Sequence, residues 1–467
     1  MRRTGAVGML VLLAAVALSS MVAWGEDAAA AKPAFRWGAD ERIREEYFDD
    51  IPIMTDPPGV TRGGENNYFR FRTRVWSEFD PAEKVTLRLR VVNEFRAWDK
   101  PEKTPPRAAL QKSNYDYPDE AVFDAMSVEI RDLFNDKLDL KVGRQDLIYG
   151  TGKVILEGTP KDGSRTIYFT AAKASWKGVK DTTIDLIGIY DPWKDDLAIN
   201  DANRDLTGLT SANDKMDESG VVLYLKNKSA PTFPFEVYGI YKNESDWDKT
   251  SGTGTNAVTT TVDALDLGTA GFRLLPEFSE RLKGNIEMAY QRGERGDQDV
   301  SGYMIDAFLT YAIPAMEDMK PAVDYGVYYL SGDDPDTTDD EGWNPLWARY
   351  PQYSDLYMYA FDADGASRWS NLAMPHAGLV LSPLKWLKTS AMVGYLFAPE
   401  KDGPGVGDER GLLCTLKNEF TIGESLLLHK DKLVAYFQVE VLEPGNYYST
   451  QENDTAVFAR WEIAYSF

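Results

Sequence analysis

Between Phe69 and Arg96 the charged residues fall at alternate positions. Arg70, Arg72 and Arg74 interleave with Phe69, Phe71, Thr73 and Val75. Arg88, Arg90, Glu94 and Arg96 interleave in the same way with Leu87, Leu89 and Val91. A guanidinium stays charged at any working pH and takes a carboxylate through two parallel hydrogen bonds. Ranked along one face, such groups lack the nucleophile and general base of a catalytic centre. They suit a surface that binds anions and hands them on.

Only an extended strand sets every second side chain on one face. A charge facing lipid costs up to about 2–4 kcal/mol at the membrane midplane. If these strands span a bilayer, their arginines must face inward. The closing segment, T-A-V-F-A-R-W-E-I-A-Y-S-F, alternates too. Val457, Ala459, Trp461, Ile463, Tyr465 and Phe467 share one face, and Arg460, Glu462 and Ser466 share the other.

About eighteen such segments are readable. They lie near 34–47, 67–79, 84–98, 121–132, 137–144, 165–177, 182–191, 219–228, 234–243, 262–275, 281–292, 302–313, 321–331, 372–382, 388–398, 411–421, 432–443 and 455–467. Tight turns such as Phe134-Asn135-Asp136 and Ser382-Pro383-Leu384 alternate with long polar loops at 48–66, 99–120, 145–164, 192–218, 244–261 and 332–371. The expected fold is all-β: a transmembrane antiparallel β-barrel of about 18 strands, with short periplasmic turns and long extracellular loops. A barrel of roughly 16 to 18 strands encloses an aqueous channel.

Composition agrees. Arg2 and Arg3, the apolar stretch Val7 to Val22 and the small-x-small run Ala23-Trp24-Gly25 read as a signal peptide, residues 1–25, ahead of a single barrel domain, 26–467. No later apolar run is long enough for a spanning helix. The net charge of −23 argues against a nucleic-acid partner. Cys414 is the single cysteine, so no internal disulfide forms, and His376 and His429 are the only histidines. No metal or cofactor is expected and no catalytic residue is assigned. The 25 Tyr and 12 Trp suit the aromatic girdles of a membrane barrel.

Inward carboxylates such as Glu78, Glu94, Glu287 and Glu462 would pair with about half of the inward arginines. The remainder would leave one sector of the wall positive. Arg460 should stand near that sector, since the last strand of a closed barrel pairs with the first.

Leu140-Lys141-Val142-Gly143-Arg144-Gln145-Asp146-Leu147-Ile148-Tyr149-Gly150, followed by Gly163-Ser164-Arg165-Thr166-Ile167-Tyr168-Phe169, resembles the alginate-export family of outer-membrane barrels. The resemblance implies an eighteen-stranded monomer in outer-membrane lipid with an electropositive constriction. It implies an anionic carbohydrate as solute and the barrel-assembly machinery as a partner through Phe467. By matching position, Arg144 would join the constriction, re-aimed by a bulge at Gly143. The chain departs from the family's alginate exporter in its short connection from Gly423 to Lys432, where that protein has a long plugging loop.

Loop 332–371 opens with Asp333, Asp334, Asp336, Asp339, Asp340 and Glu341, read as a solvated acidic stretch. Its Trp343, Trp347, Tyr350, Tyr353, Tyr357, Tyr359 and Trp369 would pack it over the barrel mouth. The reading is a passive channel for anionic solutes, with export of uronate-containing polysaccharide foremost. A general or substrate-specific uptake porin is the alternative. A barrel lipase or a soluble polysaccharide binder fits less well.

Overall fold

The computed structural model describes residues 33–50, 65–100, 115–116, 120–157, 169–194, 197, 199, 216–251, 258–348, 353–356, 370–401, 405–448 and 454–467. The signal-peptide reading, the run from Gly163 to Tyr168, and Tyr350, Tyr357, Tyr359 and Trp369 lie outside these residues.

Eighteen antiparallel strands close into a barrel. They are β1 Ala34–Asp49, β2 Asn66–Ala82, β3 Val85–Lys100, β4 Val122–Asp132, β5 Leu138–Gln145, β6 Phe169–Val179, β7 Thr182–Asp191, β8 Glu218–Asn227 and β9 Phe235–Glu244. The circuit continues with β10 Leu265–Leu274, β11 Leu282–Arg295, β12 Gln298–Ala312, β13 Ala322–Leu330, β14 Leu372–Leu384, β15 Leu387–Phe397, β16 Glu409–Glu424, β17 Lys432–Pro444 and β18 Ala456–Ser466. Each pairs with its neighbour in sequence, and β18 returns to β1 in a register running from Asp40↔Ser466 to Asp49↔Val457. Closure leaves no strand edge with unpaired backbone groups in lipid. No helix among the described residues is long and apolar enough to cross a membrane.

Alternation sets the two faces. Val75, Leu89, Leu186 and Leu223 are each about half exposed on the outside, while Arg72, Arg90, Asp185 and Glu287 are buried within. The start of β1, the end of β18 and the shortest connections share one end: Glu83-Lys84, Lys180-Asp181 and Lys385-Trp386 are three of the turns there. The other end carries the long connections, with one exception: β11 passes to β12 through Gly296-Asp297 alone. All eighteen expected segments contain strands; for the segment expected from near residue 165, the described part is Phe169–Val179.

Candidate functional site

The inward residues of β1, β2, β3 and β18 stack in rungs. From the turn end the order is Arg36, Glu78 and Arg88; then Asp40 beside Arg74; then Arg42, Arg72 and Glu94; then Arg44, Arg70 and Arg96; then Glu46 and Tyr68. Glu462 and Arg460 of β18 face Arg44 and Glu46. Side-chain exposure falls along this ladder from 49% at Arg36 and 34% at Arg88 to 14% at Arg74 and 6% at Arg70.

The guanidiniums sink into the wall because carboxylates go with them. Arg70 Nη2 lies 2.6 Å from Glu94, and its Nη1 lies 3.3 Å from Glu46. Arg42 reaches Glu94 at 2.7 Å, and Arg44 reaches Glu46 at 2.7 Å. Asp40 serves both Arg72, at 3.4 Å, and Arg74, at 2.8 Å. Arg88 meets Glu78 at 3.3 Å. Glu462 lies 3.7 Å from both Arg42 and Arg44. Arg460 Nη2 bridges Glu46, at 3.1 Å, and Asp355, at 2.9 Å. Arg96 stacks its guanidinium over Tyr68, 5.3 Å from the ring centre.

Pairing therefore goes well beyond the half expected: Arg70, Arg72, Arg74, Arg88, Arg90 and Arg460 all have carboxylate partners. A buried charge without one would cost several kcal/mol (order of magnitude, ~3–5). At the centre, Arg42, Arg44, Arg70, Arg72, Arg74 and Arg460 share Asp40, Glu46, Glu94, Asp355 and Glu462. With Arg96, from the rung of Arg44 and Arg70, included, seven arginines meet five carboxylates among the described residues of this cluster.

Arg144 lies on β5, two strands along the wall from β3. It is 3% exposed on β5 and donates from Nη1 to the Phe123 carbonyl at 3.0 Å. Gly143 has φ +119°, and a Cβ there would sit 2.2 Å from the Met126 carbonyl oxygen, so glycine is required by close approach. The expected bulge is not at Gly143, where pairing with β4 runs without a slip. The slip lies across the neighbouring pair, where Arg90↔Ala125 is followed by Val91↔Phe123 and leaves Asp124 over. Asp124 and Asp146 then clamp Arg90, at 2.8 and 3.0 Å.

Two segments from the long-loop end fold into the lumen. In the first, Tyr149 donates to Asp185 of β7 at 2.7 Å and Thr151 to Glu287 of β11 at 3.3 Å. Lys153 lies 3.7 Å from Asp306 of β12, between the rings of Tyr328 and Tyr353, at 4.2 and 4.1 Å from their centres. Ile155 and Leu156 then pair in parallel with Trp347 and Ala348 of the second segment. Trp347 is fully buried and donates to Glu218 of β8 at 3.2 Å, while Lys242 of β9 donates to the Leu346 carbonyl at 3.2 Å. Further on, Ser354 and the amides of Asp355 and Leu356 all donate to Glu440 of β17. Anchored on well-separated strands, the two segments cross the lumen and narrow it. Trp343, Trp347 and Tyr353 do pack their loop, but inside the barrel rather than over its mouth. Asp333, Asp336 and Asp339 stay exposed. His376 is buried inside, with Nδ1 3.6 Å from Asp324 and its ring 4.8 Å from that of Tyr353.

Residues 35–403 match the family model described as alginate export. The chain belongs to the alginate-export family. It is an integral outer-membrane β-barrel, and its family is one of channels rather than enzymes. Solved structures agree on the fold. OccAB1 of Acinetobacter baumannii matches at 11% identity with a TM-score of 0.57, covering 92% of this chain and 96% of that one. OccK11 (OpdR) of Pseudomonas aeruginosa matches at 13% identity and TM-score 0.53, covering 93% and 96%. The outer membrane protein OpdK of the same organism matches at 11% identity and TM-score 0.54, covering 92% and 99%. A search of curated proteins finds no match to the sequence.

The sequence reading passed over Asp40, Arg42, Arg44 and Glu46 of β1, although they sit at even positions opposite Ile43 and Tyr47 and the same alternation marks them. Asp124, Asp146 and Asp355 carried no such signal.

Proposed function

We propose that this alginate-export barrel is a passive channel for anionic carbohydrate, foremost uronate-containing polysaccharide leaving the periplasm. The observation that carries this reading is the arginine ladder, with its most exposed rungs, Arg36 and Arg88, at the short-turn end. Short turns face the periplasm in barrels of this kind. A carboxylated solute arriving from that side meets the accessible guanidiniums first. The outer rung is paired too, Arg36 with Glu78 and Asp80 and Arg88 with Glu78, so rungs at every depth attract a carboxylate without holding it, as conduction demands. Arg70, Arg72, Arg74, Arg90 and Arg460, with Glu94 and Glu462, form the wall beside the path. Arg144 supports the strand next to it.

The test is the reversal potential of the refolded barrel in a planar bilayer under a KCl gradient. The expected result is anion preference, reduced by Arg36→Ala with Arg88→Ala. Cation preference in the unaltered protein overturns the reading and leaves a general porin.

A further inference from the structure

We propose that Gln438 and Arg460 form a carboxylate-binding subsite in the lumen, and that Asp355 occupies it as an internal stand-in for a sugar carboxylate. This rests on the anion-channel reading above and adds where a carboxylate is held and what competes for it.

Gln438 of β17 and Arg460 of β18 are directly opposite each other across the sheet. Their inward donors meet on one carboxylate of a loop, while each also serves a carboxylate of the wall, Gln438 Nε2 that of Glu440 at 2.5 Å and Arg460 Nη2 that of Glu46 at 3.1 Å. Arg460 Nη2 lies 2.9 Å from Asp355 Oδ1, and Gln438 Nε2 lies 3.1 Å from Asp355 Oδ2. Each oxygen of the carboxylate thus takes one donor, the arrangement that selects a planar two-oxygen anion over a point charge. The cradle belongs to the rigid wall, and Arg460 is 5% exposed. The occupant belongs to a loop segment, set in place through its backbone. The amides of Asp355 and Leu356 donate to Glu440 Oε1 and Oε2 at 3.1 and 2.9 Å. The Asp355 side chain is therefore left to bond the cradle alone, and its removal would spare the backbone anchor.

A carboxylate tethered beside its own binding site competes at a high effective concentration. The free subsite is then a minority state, and the apparent affinity for an outside carboxylate falls by that fraction. The consequence for a channel is a subsite that recognises the solute yet releases it quickly. A uronate can take the two donors as Asp355 lets go, with no unpaired guanidinium left in between.

Single-channel block by sodium glucuronate, with glucose as the uncharged control, tests this. Asp355→Asn keeps the side chain's size and an acceptor for the cradle, but removes the competing charge. It should lower the half-blocking concentration of glucuronate about tenfold, with glucose unaffected. Asp355→Ala should do the same, and adding Gln438→Leu to Asp355→Asn should cancel the gain. Heat-modified migration on gels reads folding of each variant. An anion-preferring channel whose glucuronate block is unchanged in both Asp355 variants overturns this inference alone. A cation-preferring wild-type channel overturns the anion reading itself.

Discussion

Asp124 is the extra residue of a bulge in β4, and both of its carboxylate oxygens accept from Arg90 Nε, at 2.8 and 2.9 Å. The bulge turns a position that would otherwise pair with β3 into a ligand for β3's arginine. Asp124 has no exposed surface. Arg90→Ala removes the ion pair at 2.8 Å that offsets the burial of this carboxylate. Arg90→Ala should destabilise the refolded barrel by about 3–5 kcal/mol, read from urea titrations followed by tryptophan fluorescence. Arg90→Leu with Asp124→Leu should recover part of that loss, since the buried Asp124 charge is gone and only Asp146, 22% exposed, must be solvated. A single-variant loss below about 1 kcal/mol would show that water reaches Asp124 and that the clamp is dispensable.

Trp347 links the two lumen segments to the wall. It is fully buried, meets Phe169 edge-on at 6.3 Å between ring centres, and donates to Glu218. Truncating a large buried aromatic costs about 3–5 kcal/mol locally. The barrel's own hydrogen bonds do not depend on it. Trp347→Ala should therefore release the parallel pairing with Ile155 while leaving the barrel folded. Single-channel conductance should rise, and amide exchange at Ile155 should quicken. Unchanged conductance would place these segments outside the ion path.

The strands were legible because lipid and lumen make opposite demands on alternate residues. Arg72 and Arg90 could only face inward once Val75 and Leu89 faced lipid. The same logic covered Arg460 and would have covered Arg42 and Arg44. What it could not reach was charge compensation by residues without periodicity. Asp124 lies at a slip in the register. Asp355 comes from a loop whose position depends on Glu440, far along the chain. The excess of arginine in β2 and β3 therefore looked larger in the sequence than it is in the folded wall. Trp347 illustrates the same limit: an aromatic residue in a long loop reveals that it packs, not where.

Gly143 gives a backbone test. At φ +119° an added Cβ meets the Met126 carbonyl oxygen at 2.2 Å. The strand cannot relax without disturbing the pairing of Arg144 with Met126 and of Val142 with Val128. Gly143→Ala should cost about 1–3 kcal/mol and lower the folded yield. It should also weaken the Arg144 bond to the Phe123 carbonyl. Full yield at wild-type stability would mean that this conformation carries no strain.

Asp431 makes the turn between β16 and β17 sensitive to acid. Its withdrawal from water favours the neutral acid. The amides of Leu428, Leu427 and Leu426 and the Tyr465 hydroxyl outweigh this and lower its pKa from 3.8 to about 2. The two longer amide bonds are 2.7 and 2.8 Å, and the Tyr465 bond is 2.7 Å. A carboxylate whose pKa is lower in the folded state stabilises the fold fully above its ordinary pKa. That contribution is lost as pH falls through the folded value. Protection of the Leu426, Leu427 and Leu428 amides, corrected for intrinsic exchange, should hold at about pH 5 and decline toward about pH 2. Asp431→Asn should start with lower protection and show a flatter profile, since its side chain does not titrate. The connection displays Leu427 at 81% exposure, so apolar burial does little to hold it and the carboxylate's hydrogen bonds dominate its order. Identical profiles in the two proteins would assign the acid sensitivity to other carboxylates of the wall.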